Sequence, residues 1–249
     1  MALSSDIRRV LVALSGIEGD WAHLDAAIDL AERLQAELTA LFIEDADLLR
    51  ASMLPGVREI GRASAQSRQL ELAPLERRLK MAAAAAETRL RQSAGPRALR
   101  YSFQVMRGRP VSQLLGLAER LDAVLLAPPV WERRRLAGNR PIAVIYDASA
   151  EAERALAMAA GLARGTGSPL HVLIPATDDA SYRQQMAQAR QHAVGLGLSG
   201  ERIASAAALP NQINRLGAGL LVLHAANGFD ATTLDRLRKC LSCDLLALR

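Results

Sequence analysis

The chain has 249 residues, half of them hydrophobic and 3% aromatic, with a net charge of +5. That length suits one or two domains with ample core. The scarcity of aromatics argues against a base-stacking surface, and positive charge interleaved with Asp and Glu argues against a nucleic-acid stripe. No stretch reaches the roughly 20 apolar residues of a bilayer helix, and two cysteines make no secreted disulfide framework. The sequence therefore predicts a soluble, cytoplasmic protein without a signal peptide or membrane partner.

Residues 10–14 are a short apolar run of the kind found in strands buried on both faces. Asp20 is placed to cap a helix reaching about residue 34, with Leu24, Ala27, Ile28, Ala31 and Leu34 on one face. Residues 38–43 read as a strand, followed by a loop with a Pro55-Gly56 turn. Pro74 suits the first turn of a helix to about residue 93, which Gly95-Pro96 stops. Its stripe of Leu75, Leu79, Ala83, Ala86 and Leu90 is expected to pack on a sheet. Residues 101–106 read as a strand, 110–121 as a short helix and 123–127 as a strand. The run Arg133-Arg134-Arg135 reads as a solvated linker.

At residue 140 the pattern starts again. RPIAVIYDASAEAERALAMAAGLA aligns with RRVLVALSGIEGDWAHLDAAIDLA at an offset of 132 (142 less 10), without a gap over about 35 positions. The repeat is domain-sized, so domains of residues 1–139 and 140–249 are expected. In the second copy, strands are predicted at 142–146, 170–174, 202–207, 220–223 and 244–248, and helices at 150–164, 182–194, 210–216 and 232–240. Alternating strands and helices imply βαβ units, hence an α/β fold of two tandem doubly wound parallel-sheet domains. The first copy lacks the last helix and strand, because only PPVWERRRLAGN separates its fourth strand from the second copy. Its sheet edge would stand open, and the second domain or another subunit, as in a homodimer, is expected to cover it.

Several residues are weighed for chemistry. Asp147 and His224 end strands that meet where strand order reverses, the usual ligand crevice of open α/β sheets. Ser149 is near, but no nucleophile or oxyanion loop accompanies them, and no catalytic residue is assigned. Gly16 and Gly19 in SGIEGD read as a tight turn, since the dinucleotide fingerprint needs a third spaced glycine. Cys240 and Cys243 fall at a helix C-terminus, where the dipole opposes thiolate formation. They read as structural. His23, His171, His192 and His224 show no paired ligand spacing, so no metal is expected.

The second copy resembles a universal stress protein domain of the UspA type, through IAVIYDASAEAERAL at its start and ATTLDRLRKCLSCDLLALR at its end. Asp147, Ser149, Ala231, Thr232, Cys243 and Arg249 fit that family's pattern. The resemblance implies a five-stranded Rossmann-like, adenine nucleotide alpha hydrolase-like domain with strand order 3-2-1-4-5. It also implies a stress-related binding role and frequent dimers. Candidate nucleotide contacts are then Asp147, Ser149, Ile174, His224, Gly228, Thr232 and Thr233. ATP-binding members carry spaced glycines after the fourth strand, whose amides approach phosphates. Here HAANGFDATT offers only Gly228, with Ala231 where the last glycine would stand. The first copy has Pro128 and Pro129, which lack N–H donors, and Ser15 in place of the Asp. The expectation is a non-enzymatic regulatory or binding protein with a degenerate nucleotide site and no cofactor. The alternatives are a weakly hydrolysing ATP switch in the second domain and a small-anion binder.

Overall fold

The computed structural model describes residues 7–16, 21–61, 65–108, 122–128, 139–203, 205–224 and 231–249. The chain divides into two compact units: Arg9–Glu119, and Arg120–Arg249 together with Met1–Arg8. The expected Asp20 cap, the 110–121 helix, the Arg133-Arg134-Arg135 run, Gly19, Pro129 and Gly228 lie outside the described residues.

The first unit runs β1 (Arg9–Ser15), α1 (Trp21–Leu34), β2 (Glu37–Asp45), α2 (Ala46–Ala51), β3 (Arg58–Ile60), β4 (Ser67–Gln69), α3 (Leu72–Ala94) and β5 (Tyr101–Gly108). Its sheet is parallel in the order β5-β2-β1. The apolar run of β1 is buried as its unbroken hydrophobicity predicts, with Val10, Leu11 and Val12 at most 1% exposed. The predicted faces of α1 and α3 are buried too, and α3 packs on α1, β2 and β5. Pro74 sits at the third helical position, in the first turn as expected, where its missing N–H is one of the four without an intrahelical partner.

The segment read as a loop after β2 contains structure. Asp45 caps α2, its carboxylate accepting from the Asp47 and Leu48 amides at 2.8 and 3.4 Å. The β3–β4 pair is an antiparallel hairpin. Glu59 ties it to α3, accepting from Arg78 at 2.8 Å and also from Arg68. The Arg78 hydrogen bond leads the effects on Glu59, whose carboxyl lies below its ordinary range.

The second unit runs β6 (Ala123–Leu126), β7 (Ile142–Ile145), α4 (Ala150–Thr166), β8 (Leu170–Ile174), α5 (Asp179–His192), β9 (Leu198–Arg202), α6 (Leu209–Leu216), β10 (Leu220–His224), α7 (Ala231–Cys240) and β11 (Asp244–Leu248). Its sheet order is β6-β11-β10-β7-β8-β9. The five strands of the second copy are parallel and follow 3-2-1-4-5. Left-handed glycines end α4 and α6, Gly167 at φ +69° and Gly217 at φ +67°.

Two findings depart from the sequence reading or complete it. The weak strand expected at 202–207 is β9 at Leu198–Arg202. Pairing with β8, Leu170↔Leu198 through Ile174↔Arg202, sets its place. Residues beyond it turn through a short 3-10 segment, Ala206–Ala208, into α6. The second finding concerns β6, the fourth strand of the first copy. It belongs to the second unit and pairs antiparallel with β11, Leu245↔Leu126 through Leu248↔Ala123. The last strand of the second copy thus covers an edge of the strand that closes the first.

Candidate functional site

The carboxyl rim of the second unit is built by the turn after β7, the start of α4 and the ends of β8 and β10. The turn is tight. Ala148, between Asp147 and Ser149, has φ +64°, a left-handed conformation that side chains rarely adopt. Its counterpart at the 132 offset is Gly16, at φ +98°. A positive φ thus recurs at equivalent positions of the two copies.

That turn aims Asp147 at its own neighbour. The Asp147 carboxylate accepts from the Ser149 amide at 3.0 Å and from the Ser149 hydroxyl at 2.6 Å. Ser149 is the N-cap of α4, and its hydroxyl accepts from the Ala152 amide at 3.1 Å. Donor and acceptor capacity of Ser149 are thus engaged within one turn of chain. Ile174, buried at the end of β8, has its carbonyl filled by the Ala176 and Ile203 amides at 2.9 and 2.8 Å.

His224 ends β10 and is 5% exposed. Its Nε2 lies 3.5 Å from Nη2 of Arg154, a residue outside the predicted set. Arg154 also pairs with Glu151 at 3.8 Å, one turn earlier on α4. Burial holds the His224 imidazole below its ordinary value, and Arg154 pushes the same way; a hydrogen bond with the Arg249 backbone and the charges of Glu151 and Asp147 oppose them. Arg154 had no sequence signal, because only the fold brings the second turn of α4 against the end of β10. Tyr146, next to Asp147, is fully buried, and its hydroxyl has no hydrogen-bond partner among the described residues. Thr232 and Thr233 lie in the first turn of α7; the Thr232 side chain and Gly228 are outside the described residues.

The rim can therefore present a guanidinium beside a neutral imidazole. Depressed histidines also give stability a pH sign. His224 and His171 are both lowered chiefly by burial. Their contribution is fully present above the ordinary histidine value of about 6.5 and is lost as pH falls through the folded-state values. Urea unfolding midpoints are expected to fall between pH 7 and pH 5, and by less in His224→Gln than in the parent chain. An equal fall in both would remove His224 from this account.

Elsewhere, Cys240 is exposed and Cys243 buried, both free thiols. Burial leads the effects that push the Cys243 thiol up to about 12, which suits a packing residue rather than a reactive one. Among the described residues no group of three His, Cys, Asp or Glu could hold a metal, and no helix is long and apolar enough to cross a membrane.

No protein-family model matches the chain, and no curated protein matches it. Solved structures do. A universal stress protein from Archaeoglobus fulgidus aligns with a TM-score of 0.57 at 12% identity, covering 96% of each chain. A putative universal stress protein from Pseudomonas aeruginosa aligns with a TM-score of 0.56 at 17% identity, covering 98% of this chain and 93% of that one. With its 3-2-1-4-5 sheet and these likenesses, the chain has the fold of the universal stress proteins.

Proposed function

We propose that the chain is a universal-stress-type regulatory or binding protein of the cytoplasm. In this reading it works through its surfaces, without turnover and without a triphosphate site. Residues 1–139 and 140–249 are then two copies of one ancestral domain. One observation carries the proposal. At the rim of the second unit, three of the candidate nucleotide contacts are already bonded to the chain itself: Asp147 to Ser149, Ser149 to Ala152, and Ile174 to Ala176 and Ile203. A nucleotide that displaced any of these bonds would give up, for each, about 1 kcal/mol of the affinity it brings.

Titration calorimetry with ATP and Mg²⁺ tests this. The expected result is no saturable heat. Micromolar binding that Asp147→Ala abolishes would overturn it, in favour of an ATP switch using Asp147, Ser149, Gly228 and Thr232. A second reading has its own support. Arg154 leaves a cationic group at the rim, 58% exposed in its side chain, which suits a small anion. Inorganic phosphate binding lost in Arg154→Gln, with no response to ATP, would select that reading.

A further inference from the structure

One edge of the first unit's sheet is β5. It pairs with β2 along its whole length, Leu38↔Tyr101 through Asp45↔Gly108, and among the described residues no strand pairs with its other side. The Leu38 amide donates to the Arg100 carbonyl at 2.9 Å. Even-numbered residues therefore turn their backbone groups toward β2. Tyr101, Phe103, Val105 and Arg107 turn theirs outward.

The strand's own residues offer this edge little protection. Its sequence, YSFQVMRG, holds no proline and no lysine. Its one charge is drawn aside, since Arg107 bonds Glu44 and Glu76, each at 3.1 Å. The side chains are the kind that pair well across strands. The chain has three Tyr, three Phe and two Trp, and this single strand carries two of them, Tyr101 and Phe103, both half-buried. Val105 on the same face is 50% exposed.

We propose that β5 is the interface between two copies of this chain, joined as antiparallel strands about a twofold axis at Phe103. The register follows from the geometry. Only an even sum of paired residue numbers brings outward backbone groups against outward ones; an odd sum matches them with groups already bonded to β2. With Phe103 opposite Phe103, Tyr101 of each copy faces Val105 of the other. Both are pairings that stabilise antiparallel sheets, aromatic on aromatic and aromatic on β-branched. The three residue pairs, each exchanging two bonds, give about six backbone hydrogen bonds. Centring on Gln104 instead would set Arg107 against Tyr101 and pull it away from Glu44 and Glu76. A second copy fits better than an unrelated peptide because the strand is complementary to itself about Phe103 and carries no free charge for a partner to match.

Equilibrium sedimentation of the full chain at mid-micromolar concentration is the test. The parent chain is expected at twice the monomer mass, and Val105→Lys at the monomer mass. Phe103→Cys in a Cys240→Ser background should cross-link to a covalent dimer on mild oxidation, since paired Cα atoms at about 5.5 Å are within disulfide reach. This cross-link also decides the matter if Val105→Lys folds poorly. A parent chain that sediments as a monomer overturns the proposal, whether or not it takes up an extended peptide at β5. So does a dimer that Val105→Lys leaves intact without the Phe103 cross-link, which would place the contact elsewhere.

Discussion

A fragment ending at Asn139 is expected not to stay monomeric. The cause is β6. All four of its residues are buried, Ala123 1%, Val124 8%, Leu125 2% and Leu126 3% exposed. One side of that burial comes from pairing with β11, which the fragment lacks. Stripping the cover from Val124, Leu125 and Leu126, at about 1.5–3 kcal/mol per side chain, gives an upper bound near 5–9 kcal/mol. That is comparable with the roughly 5–15 kcal/mol that holds a whole domain together. The exposed strand would also present unpaired backbone groups to other chains. Light scattering and urea unfolding should show aggregation or a broad transition. In the full chain, Leu246→Asp should act alike, because Leu246 is wholly buried in β11 opposite Leu125. A monomeric fragment with a sharp transition would show that β11 is dispensable to β6.

The second expected result separates a structural rim from a ligand-reserved one. Ser149→Ala removes the α4 cap and should cost about 1 kcal/mol, within a usual range of about 0.5–2. Asp147→Ala removes an ionised acceptor from two hydrogen bonds and should cost about 1.5–3 kcal/mol. The two losses should not add. The Ser149 hydroxyl is held by Asp147 while it caps Ala152, so a coupling of about 0.5 kcal/mol or more is expected in the double-mutant cycle. Residues kept for a ligand behave differently, since their removal commonly leaves stability unchanged or raised. If Asp147→Ala unfolds at a higher urea concentration than the parent chain, the carboxylate is held for something the chain itself does not supply.

Local chemistry made much of the fold legible. At the 132-residue offset identified in the sequence, Gly16 and Ala148 both have positive φ. Strands of unbroken apolar residues and helices with one apolar face were placed within a few residues. Their stripes at Leu75, Leu79, Ala83, Ala86 and Leu90 face inward. The Asp45 cap of α2 could have been read from Asp45 ahead of Leu48 and Leu49, and was hidden by the Pro55-Gly56 turn beyond it. β9 was misplaced because Ser199 and Gly200 have poor strand propensity, so its position depends on what β8 offers and not on its own residues. At the rim, Asp147 and Ser149 were named, but as candidate nucleotide contacts. Their bond to each other is local and depends on the left-handed Ala148, a conformation that alanine's identity does not announce.

The order of residues alone settled the repeat, the helix and strand types, and the poverty of glycines after β10, because each depends on neighbours within a few positions along the chain. Folding settled the rest: β6 antiparallel to β11, Arg154 over His224, and β5 with no strand on its outer side among the described residues. Those pairings join residues separated by scores of positions, and nothing in either partner's own segment encodes the meeting. The antiparallel pairing is the plainest example. It needs a strand edge left bare by a missing fifth strand in one copy, and a fifth strand with a free side in the other, and only the assembled sheet brings the two together.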